Sequence, residues 1–300
     1  MSLFDTATLP KASIIYKGGR QRLENGVQYD ILPITHYDHF ISNGYEYLIL
    51  PVQSQDTDAE TVLKSNNFKT TISHKKTNEP HFIAFRETNL PDTYTQKHDI
   101  VMCVYFLQNS NTEIERFLDY YLAQGIDKIF MYYCGSLSER PNLPQRERVE
   151  YLEWKYIHFL FFPYQGVTLW QHYAQVPLYN VFAKKIAPHC NWSFYSDIDE
   201  FIKAPEGTLQ EYLKGRTSDE HLFTQHRWAK IDFKAKQVEC EESTNEPARG
   251  KTILKGVSIR PHETMHNHHS MQAVSCDLLM FHNRHHPNWD KVSHKSLSLK

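Results

Sequence analysis

The stretch IVMCVYFL at residues 100–107 is apolar without interruption. Such a run fits a strand covered on both faces, as in a mostly parallel sheet sandwiched between other layers. The next residues narrow the choice. In NSNTEIERFLDYYLAQG, Ile114, Phe117, Leu118, Tyr121 and Leu122 recur on one helical face. Asn111 or Thr112 can cap the start, acidic residues occupy the first turn, and Gly125 suits the position just past the end. IDKIFMYY (126–133) then reads as a second strand. Strand, helix and strand in this order form a βαβ unit, so the spacing predicts parallel strands in an open α/β sheet.

Upstream the pattern differs. ASIIY (12–16), VQYDILPI (27–34), YEYLILPV (45–52), FKTTIS (68–73) and HFIAF (81–85) are short β-like runs separated by polar turns. ETNLPDTYTQKHD (87–99) has linker character, which places a boundary near residue 95. The expectation is a β-rich accessory region over 1–95 and an α/β domain over 96–300. Within the second part, YIHFLFF (156–162) reads as a strand, and LWQHYAQVPLYNVFAKKIAP (169–188) reads as a helix that Pro177 can kink. NWSFYS (191–196) is a further buried strand, and it runs straight into Asp197, Ile198, Asp199 and Glu200.

Asp is disfavoured in strands, and close carboxylates repel unless a cation or a proton lies between them. If the segment stays extended, Asp197 and Asp199 share a face and both reach one cation while Ile198 points into the core. Mg2+ and Mn2+ prefer oxygen ligands and often combine one or two carboxylates with substrate phosphates. A departing diphosphate is a natural partner, because the ion neutralises the charge that builds on it. The plainer alternative is an acidic turn at a strand end, with Glu200 capping the next segment. Ligands of open α/β sheets bind past the carboxyl ends of the strands, which is where these carboxylates fall.

The segments NTEIERFLDYYLAQGIDKIFMYY and WSFYSDIDEF, together with KGVSIRP (255–261), MHNHH (265–269) and LLMFHNRHH (278–286), resemble the family-2-like glycosyltransferases of GT-A fold whose metal motif reads D-x-D-E-F. The resemblance covers roughly residues 99–300. It implies an open mixed α/β sheet flanked by helices that binds a nucleotide-sugar, with UDP as the expected carrier. It implies transfer of the sugar to a glycan or glycolipid hydroxyl in surface polysaccharide synthesis, with Mn2+ or Mg2+ as cofactor. Asp199 would be the principal metal ligand, Asp197 would contact ribose or metal, and Glu200 would lie toward the acceptor. Gln108, Asn109 and Asn111 would lie against the base. Where the family has an Asp-Asn-x-Ser-like turn, this chain has Tyr133, Cys134, Gly135 and Ser136, so base recognition differs in detail.

Two clusters in the tail, HETMHNHHS (262–270) and FHNRHH (281–286), supply histidines. His266, then His282, are the candidates to complete the metal sphere, since neutral imidazole suits manganese. Lys255 and Arg260 are candidates for holding the diphosphate, against the plain role of solubilising charges on an edge strand; Lys291 and Lys295 could close over it from the tail. An inverting transferase, preferred here over a retaining one, needs a general base, for which Asp232 and Glu263 are candidates. Trp228 could stack on a sugar.

A net charge of −2 gives no reason to expect nucleic-acid binding. The five scattered cysteines form no CxxC pair, which points to a reducing compartment rather than a disulfide framework. MSLFDTATLPKAS lacks the charged and apolar regions of a signal peptide, and no apolar stretch approaches the roughly 20 residues that span a bilayer. A cytoplasmic protein is expected, with room for peripheral contact at the inner face of a membrane and for homo-oligomers. Two other classes stay open: a metal-dependent phosphodiesterase or nuclease using the same carboxylates and histidines, and a non-catalytic carbohydrate-binding protein.

Overall fold

The computed structural model describes residues 12–16, 30–34, 36–51, 57–72, 81–107, 109–154, 156, 158–160, 170–172, 175–242, 249–265, 273–283 and 294–299. Gln108, His266 and Lys291 lie outside them. The chain is mixed α/β with a β-rich N-terminal region. That region holds a hairpin of β1 (Ala12–Tyr16) and β2 (Asp30–Ile34), then β3 (Asp38–Ser42), β4 (Tyr45–Pro51), α1 (Thr57–Ser65), β5 (Lys69–Ile72) and β6 (His81–Glu87). The last four strands form one antiparallel sheet in the order β3-β4-β6-β5.

The βαβ unit comes next as β7 (His98–Phe106), α2 (Asn111–Ala123) and β8 (Lys128–Tyr133), joined by β9 (Val149–Glu153). A separate two-stranded pair, β10 (His158–Leu160) and β11 (Trp170–His172), precedes α3 (Gln175–Lys185). The remaining elements are β12 (Cys190–Ser196), β13 (Glu200–Lys203), α4 (Leu209–Lys214), β14 (Leu222–Asp232), β15 (Gln237–Glu241), β16 (Arg249–Lys255), β17 (Val274–His282) and β18 (His294–Ser298). The large sheet runs β13-β17-β14-β16-β12-β7-β8-β9. Strands β12, β7, β8 and β9 are parallel, and β16 lies antiparallel against β12.

The two faces of β7 account for its continuous apolar sequence. Ile100, Met102, Val104 and Phe106 pack with Phe117, Leu118 and Tyr121 of α2. Val101, Cys103 and Tyr105 face Leu178, Tyr179 and Phe182 of α3, together with Phe40, Tyr47, Ile49 and Phe85 of the N-terminal sheet. The expected boundary near residue 95 therefore separates two sheets that share one core.

Three local expectations are corrected. Ser110, not Asn111 or Thr112, caps α2, in a reciprocal capping box with Glu113. The helix expected over 169–188 is shorter: Trp170–His172 is a strand, α3 starts at Gln175, and Pro177 sits in the first turn, where its missing N–H leaves no hydrogen bond unmade. KGVSIRP is not a strand either. β16 ends at Lys255, and Gly256–Ser258 form a 3-10 turn. No helix among the described residues is long and apolar enough to cross a membrane.

Candidate active site

The turn from β12 into β13 carries the three carboxylates, Glu200 being the first residue of β13. Strand β12 lies at the junction of the sheet's two halves, with parallel β7 on one side and antiparallel β16 on the other. Past Ser196 the chain makes a tight turn: the Glu200 N–H donates to the Asp197 carbonyl (3.0 Å), and the Asp197 N–H donates to Glu200 Oε2 (2.8 Å). The segment is therefore a turn and not a continued strand. Ile198 does enter the core, but Asp197 and Asp199 address different partners.

The cation between Asp197 and Glu200 belongs to the chain. Lys251 on β16 is 1% exposed, and its Nζ lies 3.1 Å from Asp197 Oδ2 and 3.2 Å from Glu200 Oε2. The ammonium also sits 5.3 Å from the Tyr195 ring centre. Register explains the meeting, since β16 runs antiparallel to β12 with Ile253 beside Phe194, which brings Lys251 level with the end of the strand. Burial alone would lower the lysine pKa, but the charges of Asp197 and Glu200 outweigh it and hold it above the usual value. Burial, with Asp197 adding to it, pushes the Glu200 carboxyl up despite the opposing pull of Lys251. The other Asp197 oxygen accepts from Gln175 Nε2 at 2.8 Å, so the first residue of α3 fixes it.

Asp199 turns the other way, toward His282, with 3.5 Å between Oδ2 and Nε2. Pairing places Glu200 on β13, His282 on β17 and Trp228 on β14 in one row. The Trp228 indole lies flat on the His282 ring at 4.5 Å, and His226 meets it edge-on with Nε2 3.3 Å from His282 Nδ1. The His282 Nε2 is buried and makes no hydrogen bond. Among the described residues no group of three or more His, Cys, Asp or Glu gathers around one point. The pair Asp199 and His282 nonetheless offers one oxygen and one nitrogen donor of the type manganese takes. Their 3.5 Å separation compares with about 3 Å for neighbouring ligands each about 2.1 Å from an octahedral ion. Three carboxylates against one ammonium leave the turn with a formal charge of −2, which one divalent ion would balance.

The remaining candidates scatter. Asn109 and Asn111 come after β7 on the same edge of the sheet as the acids, where Arg140 binds the Asn109 carbonyl (2.8 Å) and Asn111 Oδ1 (3.2 Å). Lys255 lies beside Trp192 at the start of β12, its ammonium 4.4 Å from the indole centre. That is four residues, or about 13 Å, down the strand from Lys251. Arg260 and Glu263 sit at the far end of α3: Lys184 Nζ donates to the Arg260 carbonyl (2.5 Å), and the Arg260 N–H donates to Glu263 Oε2 (2.9 Å). Nine helical residues, about 13 Å, separate Lys184 from Gln175 at the acids. Asp232 is exposed, and its Oδ1 accepts from the Lys234 and Ala235 N–H groups (both 2.9 Å) in the turn joining β14 to β15. Lys295 lies on β18, paired with Cys240.

Lys251, Gln175, His226 and Arg140 escaped the reading of the sequence. Lysine in the short segment RGKTILK has no local mark of burial, and only its strand partner reveals what it does.

No family model matches the chain, and no curated protein does. Two crystal structures of Rv0371c from Mycobacterium tuberculosis H37Rv, one of them a complex with manganese, align with 44% of this chain at 12–13% identity and a TM-score of 0.25. The alignments span 66% and 68% of those chains. A likeness this slight carries no argument about fold or chemistry.

Proposed function

We propose that the chain is a GT-A type glycosyltransferase that moves a sugar from a nucleoside-diphosphate carrier to a glycan hydroxyl, with Mn2+ or Mg2+ held by Asp199 and His282. The observation that carries this reading is the position of the acidic turn. It lies past the carboxyl end of β12, whose parallel neighbour β7 packs on α2 across one face of the sheet while α3 covers the other. In open α/β sheets a crevice for a ligand opens past the carboxyl ends of two such neighbours, where the connections part to opposite faces. The turn after β7, tied down by Arg140, borders the same edge and suits a nucleoside.

A bound divalent ion would supply charge neutralisation for the departing diphosphate. The chain's own residues set the frame. Lys251 cancels one of the two charges of Asp197 and Glu200, so that the buried Glu200 serves to hold the turn. Gln175 aims Asp197, and Trp228 fixes the plane of His282. Asp232 and Glu263 are engaged in structural hydrogen bonds away from the turn, and neither is proposed as the general base.

The test is ligand-induced stabilisation. Nucleoside diphosphates are screened by thermal unfolding with and without manganese, on the native chain and on Asp199→Ala. At a ligand concentration of 100 Kd the correct base adds about 2.7 kcal/mol. That increment should require manganese and vanish in Asp199→Ala. Stabilisation by no nucleotide under either condition rejects the reading in favour of a binding module, and hydrolysis of a simple phosphodiester without a sugar donor rejects it in favour of a phosphodiesterase.

A further inference from the structure

We infer that His226 is a positioning residue that fixes the tautomer of His282, turning the Nε2 lone pair of His282 toward Asp199 so that the two can share a divalent cation. The inference rests on the metal reading above and adds to it the residue that makes His282 a ligand.

His226 and Trp228 alternate on β14, and His282 is the cross-strand neighbour of Trp228 on β17. The two imidazoles face each other through His226 Nε2 and His282 Nδ1, 3.3 Å apart. One proton occupies that gap. If His226 carries it, His282 keeps its own proton on Nε2, which then points at Asp199 and should form a charge-assisted hydrogen bond of about 2.7–2.9 Å. The observed separation is 3.5 Å, and the nitrogen is buried with no hydrogen bond made. If His282 Nδ1 carries the proton and His226 accepts it, a bare lone pair faces a carboxylate. Two such donors repel in the absence of a cation and converge on one when it binds.

The surroundings fix the direction in which that nitrogen points. Trp228 stacks on His282 with 17° between the planes, which prevents the ring from turning to exchange its nitrogens. The Asn283 N–H donates to the Asp199 carbonyl at 2.7 Å, which ties the acid's backbone to the residue after His282. A ligand histidine with its second nitrogen so anchored has a fixed direction and raised basicity, and loss of the anchor typically weakens metal binding 10–100-fold.

Two variants separate the roles. His226→Gln keeps an acceptor near the position of Nε2, whereas His226→Phe keeps the ring shape without one. Manganese affinity is read from the free-ion electron paramagnetic resonance signal, and the tautomer from long-range 1H–15N correlations of metal-free protein. Thermal unfolding without metal serves as the fold control. The native chain and His226→Gln should show His282 protonated at Nδ1 and should bind manganese within about threefold of each other. His226→Phe should lose 10–100-fold in affinity and shift His282 to the Nε2–H form. Equal manganese affinity in His226→Phe and the native chain overturns the inference, as does an Nε2–H tautomer in the native chain. A native chain that binds no manganese, whatever its tautomer, overturns the metal reading and this inference with it.

Discussion

A buried ammonium shared by two carboxylates is expensive to assemble and more expensive to break, because removing one partner strands the others away from water. Lys251, Asp197 and Glu200 are in that position, with Lys251 and Glu200 each 1% exposed. Lys251→Met should therefore lower stability by about 3–5 kcal/mol at neutral pH. The pH dependence has a definite sign. Glu200 already has a folded-state pKa above its unfolded value, so its favourable contribution is complete below the unfolded value and is lost as pH climbs through the folded one. Removing the lysine raises the folded value further, so the deficit should shrink in mild acid, where Glu200 takes up a proton. Denaturant unfolding of both proteins at neutral and mildly acid pH measures it, and equal stability at neutral pH would show that the triad contributes nothing. At this scale the sequence is legible on one side only. NWSFYSDIDEF announces that three acids require something positive, but the partner arrives through the pairing of β16 with β12, which no local pattern reveals. The row of Glu200, His282 and Trp228 is hidden for the same reason, since its members come from three strands.

Among the elements, those with a strong internal period are read correctly and those shaped by a neighbour are not. Helix α2 announces itself through five apolar residues on one face, and β7 through its unbroken run. Only the cap of α2 is displaced, by one residue, because Ser, Asn and Thr in succession are all competent caps. The end of β16 obeys another rule. Gly256 packs so closely on the start of β12 that an added Cβ would overlap the Cys190 carbonyl oxygen and lie 2.5 Å from that of Ala187. Both are backbone atoms, so relief requires one segment to move away from the other. Gly256→Ala should destabilise the chain by about 1–3 kcal/mol or more, as overpacking does. Because β16 carries Lys251, the variant should also weaken nucleotide stabilisation. A melting temperature equal to that of the native chain would mean that the two segments do not touch as described.

Residues before and after position 95 differ in pattern, one part alternating and the other βαβ-like, which suggests a β-rich accessory region beside an α/β domain. The two parts share a core. Phe40, Tyr47, Ile49 and Phe85 from the N-terminal sheet pack in one cluster with Val101, Phe130, Leu178 and Phe182 from the α/β part. Polar contacts cross the same seam: Lys185 of α3 meets Asp38 of β3 at 2.8 Å, and Ser42 bonds His189 at 3.2 Å. Full burial of each large apolar side chain contributes about 1.5–3 kcal/mol, while a domain's entire margin is about 5–15 kcal/mol. Removing residues 1–95 should therefore leave α3 with a bare apolar face and too little stability to fold. The fragment 96–300 should bind the dye ANS, lose its near-ultraviolet circular dichroism and unfold without a cooperative transition. A fragment that melts cooperatively near the temperature of the full chain would show that the α/β part folds without the N-terminal sheet. The consequence reaches the acidic turn, because α3 spans the seam and its first residue, Gln175, holds Asp197. The N-terminal sheet thus braces the helix that aims a carboxylate of the candidate site, and its removal should abolish nucleotide stabilisation as well as the fold.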